Sequence, residues 1–150
     1  MSDAVIDADT VERCVASAAQ ARERAYAPYS QFRVGAAVLT ADGRCFVGAN
    51  VENASYGLTA CAERVALWAG VVAGMQDVRL VVVVADTEQP IAPCGACRQV
   101  LSELAPEALV IMTTLSGARR EAAVRDLLPN AFGRWDLISP AASPRLLQIP

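Results

Sequence analysis

The sequence has no histidine, and all 13 of its basic residues are arginines. Without histidine, a Ser-His-Asp triad or a Cys-His pair cannot form within the chain. A metal site would therefore have to use cysteine, carboxylate or backbone ligands. Side-chain proton transfer near neutral pH is left to Asp, Glu and Cys, because arginine does not give up its proton. The missing histidine narrows the available chemistry to thiolates and carboxylates.

Basic patches and long hydrophobic runs are also missing. The 13 basic and 16 acidic residues give a net charge of -3, so the chain offers no basic field for a phosphate backbone. The acidic residues 1–9 do not resemble a signal peptide, and the apolar run over 78–85 is too short to cross a bilayer. We therefore expect a cytoplasmic protein with no nucleic-acid polymer and no membrane as a partner, and the composition leaves a small neutral ligand open.

Aromatic residues make up only 5% of the chain, whereas hydrophobic residues make up 54%. A core of Val, Leu, Ala and Ile suits a buried sheet that is covered by helices. The length of 150 residues predicts one domain over 1–150. The prolines near the C-terminus predict a mobile tail from about residue 139.

Hydrophobic periodicity and turn residues predict alternating helices and strands. The predicted helices cover residues 8–25, 61–72, 94–104 and 124–128. The predicted strands cover residues 32–39, 44–51, 78–85, 109–113 and 121–124, the first two forming a hairpin. This order is typical of an α/β protein, a three-layer α/β/α sandwich with a mixed five-stranded sheet. Helices between the later strands favour parallel pairs there, with right-handed crossovers.

Three of the five cysteines lie where helices are predicted to begin. Cys61, Cys94 and Cys97 would be stabilised as thiolates by the free N–H groups and the dipole at a helix N-terminus. Three thiolates suit tetrahedral Zn²⁺ and leave one position for water, as in a catalytic zinc site. Cys14 and Cys45 lie in an apolar helix face and a strand, so we interpret them as core or boundary residues.

Glu63 follows Cys61 by two residues and is the best-placed proton shuttle for such a metal. Alone, the C-x-x-C pair would fit a redox site or half of a structural zinc site, and Glu63 would be a routine acid in the first turn of a helix. Together, and with Pro93 directly before Cys94, these residues match the three-cysteine form of the zinc-deaminase signature.

The motifs resemble those of the small, homotetrameric cytidine deaminases of the three-cysteine zinc type. The resemblance lies in residues 28–37, 50–64, 93–101 and 127–132, and it extends from about Ala8 to Phe132. It implies hydrolytic deamination of cytidine and/or deoxycytidine to uridine or deoxyuridine plus ammonia, in pyrimidine salvage. The implied mechanism is attack of a zinc-activated hydroxide on C4 of cytosine, with a glutamate as proton shuttle.

The resemblance also implies roles for individual residues. Cys61, Cys94 and Cys97 would be the zinc ligands, Glu63 the proton shuttle, and Arg64 a neighbour that offsets the thiolate charge. The implied substrate contacts are Asn50 and Glu52 on the ribose 3′-hydroxyl, Phe32, Tyr56 and Phe132 around the base or sugar, and the backbone N–H groups of Ala62 and Cys94 in the base pocket. Asn50 and Glu52 would share one face of a strand. Tyr56 and Phe132 would reach sites shared between the subunits of a homotetramer.

Three alternatives remain open at this stage. The first is a deaminase of another cytosine-bearing small molecule. The second is a non-catalytic zinc module with four protein ligands, for which Cys45 is the only spare thiol. The third is editing of a base flipped out of a nucleic acid, and the negative net charge weighs against it. The choice between ribose and deoxyribose is also open, because both substrates offer the same 3′ contact.

Overall fold

The computed structural model describes residues 6–137, so the predicted tail from about residue 139 lies outside the described part. Its helices are α1 (Ala8–Arg22), α2 (Ala62–Val72), α3 (Gly95–Leu104) and α4 (Val124–Leu127). Its strands are β1 (Val34–Thr40), β2 (Cys45–Ala49), β3 (Val78–Ala85), β4 (Leu109–Thr114) and β5 (Arg119–Ala123). Short 3₁₀ turns cover Tyr56–Leu58 and Arg134–Leu137. Within residues 6–137, none of the helices has the length and apolar character that a bilayer crossing requires.

The five strands form one mixed sheet in the order β2-β1-β3-β4-β5, which confirms the predicted sheet. Among the described strands, β3 and β4 are the parallel pair, and the remaining pairs are antiparallel. The expectation of parallel pairing in the second half therefore holds for one pair. The reason is that α3 crosses over between β3 and β4, whereas β5 follows β4 through a tight turn at Gly117, which has a φ of +96°.

Helices cover both faces of the sheet and make three layers, as predicted. On one face, α1 packs its Val11, Cys14 and Ala18 against the sheet residues Leu39 and Val82. On the other face, α2 and α3 pack against the sheet through apolar residues that include Ala66, Leu67 and Leu101. All seven residues of β1 are buried, because this strand lies between helical layers on both sides.

Most element boundaries differ from the prediction by one or two residues, and the early ends of α1 and β2 have a structural cause. Helix α1 ends at Arg22 rather than at residue 25, because the N–H groups that follow donate to carbonyl groups three residues back instead of four. For example, the Ala25 N–H donates to the Arg22 carbonyl at 3.0 Å. Strand β2 ends at Ala49 rather than at residue 51, because Val51 leaves the sheet to form isolated bridges with Tyr26 and Ala60.

Two glycines allow helices to lie unusually close to the sheet. A Cβ atom on Gly35 of β1 would lie 1.9 Å from the carbonyl oxygen of Ala18 in α1. A Cβ atom on Gly48 of β2 would lie 2.4 Å from both the carbonyl oxygen of Ala62 and the backbone nitrogen of Ala66 in α2. Real Cβ atoms are essentially never that close to other atoms, so both positions require glycine. The contact at Gly48 fixes the first turn of α2 against the sheet.

Candidate active site

The three predicted zinc ligands come together at the N-termini of α2 and α3. Cys61 is the N-cap residue of α2, and Cys94 is the N-cap residue of α3. Cys97 lies one turn further along α3, where its side chain is buried. The three sulfur atoms lie within 4.8 Å of one another, and the Sγ atoms of Cys61 and Cys94 are 3.7 Å apart. Two segments that are 33 residues apart in the chain therefore form one cluster.

The cluster fits a zinc ion. Sulfur ligands that are about 2.3 Å from a tetrahedral zinc lie roughly 3.8 Å from each other, close to the 3.7 Å between Cys61 and Cys94. Within residues 6–137, no further His, Cys, Asp or Glu joins these three ligands. The protein therefore supplies three soft donors and leaves one coordination position for a small molecule, which is the arrangement of a catalytic zinc site.

The surroundings favour a thiolate at Cys61. The pKa of the Cys61 thiol falls to about 5, chiefly through its interaction with the Cys97 thiol, with a further contribution from Arg64. The same interaction, together with burial, raises the pKa of Cys97. In the described structure, neither α2 nor α3 has a side-chain cap at its N-terminus, so their first-turn N–H groups can stabilise negative sulfur.

Arg64 is bound to the cluster from the first turn of α2. Its Nη2 donates to the carbonyl oxygen of Thr59 at 3.2 Å and to the Sγ of Cys61 at 3.5 Å. Its guanidinium also lies over the ring of Trp68, 5.7 Å from the centroid. The hydrogen bond to Cys61 raises the pKa of Arg64. This fixed positive charge opposes the negative charge that three thiolates bring to a divalent ion.

Glu63 lies beside the sulfur atoms and is nearly excluded from water. It is 4% exposed, and this burial raises the pKa of its carboxyl group. The negative charge of Cys61 raises the pKa of Glu63 further, whereas its interaction with the neighbouring Cys97 thiol lowers it. A carboxyl group with a raised pKa holds a proton more readily than a free glutamate does, which suits a group that takes up and releases protons beside a metal.

Asn50 and Glu52 are buried together after the end of β2, so the expectation that they lie on a strand was wrong. Asn50 accepts a hydrogen bond from the Val34 N–H at 2.8 Å and donates to the Phe32 carbonyl at 2.8 Å. Glu52 accepts from the Tyr29 N–H at 2.9 Å, from the Ser30 N–H at 3.2 Å and from the Ser30 hydroxyl. The side chains of Asn50 and Glu52 lie on the same side of the backbone, because the side chain of Val51 between them is turned outward and exposed.

A cleft of about 400 Å³ opens next to Glu52, and Tyr29, Ser30, Tyr56 and Thr59 line it with Glu52. The rings of Tyr29 and Tyr56 meet edge to face, with centroids 6.1 Å apart. Tyr29, Ser30 and Thr59 were not among the predicted site residues. Periodicity gives no signal for them, because they lie in loops, and only the tertiary contacts with Glu52 and Tyr56 reveal their position.

The predicted aromatic contacts are exposed in the single chain. Phe32 lies at the entrance to β1, while Tyr56 is 76% and Phe132 59% exposed. The backbone of Phe132 is tied to α3, because the Gln99 side chain donates to its carbonyl at 2.7 Å. Ala62, the remaining predicted contact, is buried as the first residue of α2.

Arg98 and Gln99 are two further residues that sequence reasoning missed. The Arg98 side chain donates to the carbonyl of Pro93 at 2.8 Å and to the carbonyl of Leu127 at 2.9 Å. It therefore joins the loop before Cys94 to the end of α4. Nothing in the spacing of these residues distinguishes them from ordinary polar positions on a helix.

Comparison with known proteins identifies the family. Residues 8–113 match the family model for the cytidine and deoxycytidylate deaminase zinc-binding region. The chain is 53% identical to a cytidine deaminase from Halalkalibacterium halodurans, over 82% of this chain and 94% of the relative. It is 45% identical to a cytidine deaminase from Mycobacterium tuberculosis, over 81% and 88% of the two chains.

Solved structures agree with this match. The crystal structure of cytidine deaminase from Burkholderia pseudomallei superposes with a TM-score of 0.79 at 52% identity, covering 81% of this chain and 98% of that chain. That of cytidine deaminase from Mycobacterium tuberculosis superposes with a TM-score of 0.72 at 41% identity, covering 85% and 99%. The predicted fold is therefore confirmed, and the chain belongs to the zinc-binding cytidine and deoxycytidylate deaminase family.

Proposed function

We propose that the protein hydrolyses cytidine and/or deoxycytidine to uridine or deoxyuridine and ammonia, as a step of pyrimidine salvage in the cytoplasm. The observation that carries this proposal is the proximity of a buried carboxyl group to a three-sulfur cluster. Glu63 lies close enough to Cys61 and Cys97 for both to act on its pKa, and the three cysteine sulfur atoms lie within 4.8 Å of one another. This combination provides ligands for a metal and a proton carrier at the same point.

Cys61, Cys94 and Cys97 would hold a zinc ion, which supplies a Lewis acid that makes water a nucleophile near neutral pH. Glu63 would receive a proton from the attacking water and deliver it to N3 of the cytosine ring. It would then take up the remaining proton from the new hydroxyl group at C4 and deliver it to the exocyclic amine, so that the C4 carbonyl forms as ammonia leaves. Arg64 would limit the negative charge of the thiolates through its contact with Cys61. The N–H groups of Ala62 and Cys94 would line the pocket of the base.

Asn50 and Glu52 would bind the 3′-hydroxyl of the sugar. The Asn50 amide has two N–H donors and uses one on Phe32, so a second donor is available to a hydroxyl oxygen. Glu52 is an acceptor that Ser30 and Tyr29 hold in one orientation, and it can accept from the hydroxyl hydrogen. The cleft of about 400 Å³ beside Glu52 provides room for the sugar. Both ribose and deoxyribose carry this hydroxyl, so this contact is common to both substrates.

We also propose that the active enzyme is a homotetramer whose sites are shared between subunits. Large apolar side chains that stay exposed are typical of a surface that a partner covers, and Phe32, Tyr56 and Phe132 are all exposed here. Phe32 would then line the pyrimidine pocket of its own subunit, while Tyr56 and Phe132 would reach a neighbouring site.

Subunit sharing has a specific test. Light scattering after size exclusion should give four times the chain mass. If Phe132 completes a neighbour's site, mixed oligomers of Phe132→Ala and Glu63→Gln subunits should be more active than either variant alone. Mixing occurs by unfolding and refolding the two chains together. A monomer in solution, or mixed oligomers no more active than the sum of the parents, would remove this part of the proposal.

The catalytic proposal is tested on one sample by metal content and by the fall in ultraviolet absorbance as cytidine is consumed. We expect one zinc per chain and turnover of cytidine or deoxycytidine. Glu63→Gln should keep its zinc while its kcat falls by about 10² to 10⁴. The matched control is Glu103→Gln, an exposed glutamate of α3, which should retain full activity. Zinc-loaded protein that leaves both nucleosides unchanged would contradict the proposal.

Two other functions make different predictions in the same assay. A deaminase of another cytosine-bearing molecule would ignore both nucleosides but act on that compound in a substrate panel. A non-catalytic zinc module would need a fourth protein ligand, and Cys45 cannot serve because it lines the cavity beneath α1 with Cys14, on the other face of the sheet from the metal cluster. Within residues 6–137 the cluster contains only Cys61, Cys94 and Cys97, which favours the catalytic function.

A further inference from the structure

A second pair of cysteines lies on the opposite face of the sheet from the metal cluster. Cys14 and Cys45 both line a cavity of about 510 Å³ between α1 and the start of β2. The cavity wall also includes Asp7 and Thr10 at the beginning of α1 and Arg13 next to Cys14. None of these residues takes part in the proposed deamination. The pair is therefore a separate thiol site, to which the deaminase function assigns no role.

The strand register explains why the two thiols face each other. Cys45 pairs directly with Leu39 across the β1–β2 ladder, and residues paired in this way point to the same face of a sheet. Leu39 belongs to the core cluster beneath α1, together with Cys14. Cys45 must therefore point toward α1, where it lines the same cavity wall as Cys14 and lies close enough for the two thiols to shift each other's pKa.

The two thiols differ in access and in acidity. Cys14 is 3% exposed, whereas Cys45 is exposed at the edge of the sheet. The interaction with the Cys14 thiol lowers the pKa of Cys45 to about 7. The same interaction, together with burial, raises the pKa of Cys14. An accessible thiolate beside a buried thiol is the usual arrangement of an attacking and a resolving cysteine.

We propose that Cys14 and Cys45 form a thiol–disulfide exchange site that reacts with a low-molecular-weight disulfide and closes to an intramolecular disulfide. The Cys45 thiolate attacks one sulfur of the small disulfide RSSR, a bond from Cys45 to that sulfur forms, the S–S bond of RSSR breaks, and RS⁻ leaves. Cys14 then attacks the Cys45 sulfur and displaces the second RS⁻, and the thiol protons pass to the two leaving thiolates. The protein loses two electrons, and RSSR is reduced to two RSH.

The consequence for the fold is a covalent link between two layers. Cys14 lies in α1 and Cys45 is the first residue of β2, so the bridge would join the helix to the edge strand of the sheet. The metal ligands lie on the other face, at the ends of α2 and α3. The exchange would therefore leave the zinc content unchanged.

The experiment uses the zinc-loaded full chain and 2-hydroxyethyl disulfide as the oxidant. Intact mass should decrease by about 2 Da as two hydrogens are lost, and no hydroxyethylthio adduct should accumulate. Digestion under non-reducing conditions with trypsin and a Glu-specific protease separates Cys45, in residues 45–52, from Cys61. We expect residues 45–52 to be linked to residues 14–22, and the zinc content to remain constant.

Two variants distinguish exchange at this pair from other thiol chemistry. Cys14→Ser should stop at the mixed disulfide and carry one stable hydroxyethylthio group on Cys45. Cys45→Ser should neither lose mass nor gain an adduct at Cys14. Circular dichroism and zinc content check that both variants fold. The proposal is overturned if the folded wild type forms only an adduct, does not react, or links either cysteine to a residue of the metal cluster. These results do not depend on deaminase activity, so they are distinct from a failure of the proposed function.

Discussion

The contact between Gly48 and α2 leads to a specific prediction about the metal site. In Gly48→Ala, the new methyl group would lie 2.4 Å from the Ala62 carbonyl oxygen and 2.4 Å from the Ala66 nitrogen. Both are backbone atoms of α2, so no side-chain rotation can relieve the contact. Ordinary contact begins at 3.4 Å, so the helix has to move by about 1 Å relative to β2. Cys61, the N-cap of this helix, has to move with it.

The change in the free energy of unfolding of Gly48→Ala is the sum of two opposing contributions. Overpacking a tight contact costs about 3 kcal/mol when no flexible group can yield. Replacing glycine by alanine lowers the conformational entropy of the unfolded chain, which stabilises the folded protein by about 0.5 to 1 kcal/mol. The free energy of unfolding should therefore fall by roughly 2 kcal/mol, which lowers Tm by about 4 to 8 °C for a chain of this size.

The same displacement affects metal binding more strongly. Zinc–ligand distances tolerate changes of about 0.2 Å, so a helix shift of about 1 Å separates Cys61 from Cys94 and Cys97. We expect zinc affinity to fall by about tenfold or more. Competition with a chromophoric chelator measures the affinity, and thermal unfolding with and without chelator separates the loss of metal from the loss of packing.

Gly133→Ala is the matched control, because a Cβ atom at Gly133 meets no atom within 4 Å. This variant should retain the Tm and the zinc affinity of the parent chain. If Gly48→Ala behaves like Gly133→Ala in both measurements, the argument that close helix–sheet contact positions Cys61 is refuted.

Three further predictions follow from the hydrogen bonds around the site. Ser30→Ala removes the hydroxyl that orients Glu52 and should lower kcat/KM for cytidine by about tenfold, mainly through KM, whereas Ser17→Ala should leave steady-state kinetics unchanged. Hydrogen bonds from Ser30 hold the pKa of Glu52 below its ordinary 4.5. At neutral pH the free energy of unfolding of the parent chain should therefore exceed that of Glu52→Gln, and this difference should shrink as the pH falls below 4.5. Urea titrations in which the difference grows in acid would contradict this prediction. Arg98→Met breaks two bonds to backbone carbonyls and should cost about 2 kcal/mol of stability in urea, compared with no measurable cost for Arg125→Met.

Much of the fold was predictable because the local patterns are strong. The helices that begin near Cys61 and Cys94, and the strand over residues 78–85, lie within one or two residues of their predicted bounds. Helix capping, hydrophobic periodicity and turn residues act over a few residues, so they can be read from the sequence. The early end of β2 was not predictable, because the bridges of Val51 to Tyr26 and Ala60 draw the chain out of the sheet.

Part of the site was likewise predictable from the sequence, and the rest was not. The sequence by itself determined which atoms are available: three sulfur atoms at helix starts, a carboxyl group two residues after the first, and no imidazole anywhere. Only the tertiary structure decided that Cys61 meets Cys94 and Cys97 and that Ser30 holds Glu52. The same applies to Cys45, which lies against Cys14 rather than at the metal. The physical reason is that donor chemistry belongs to each residue, whereas convergence depends on how closely helices dock on the sheet.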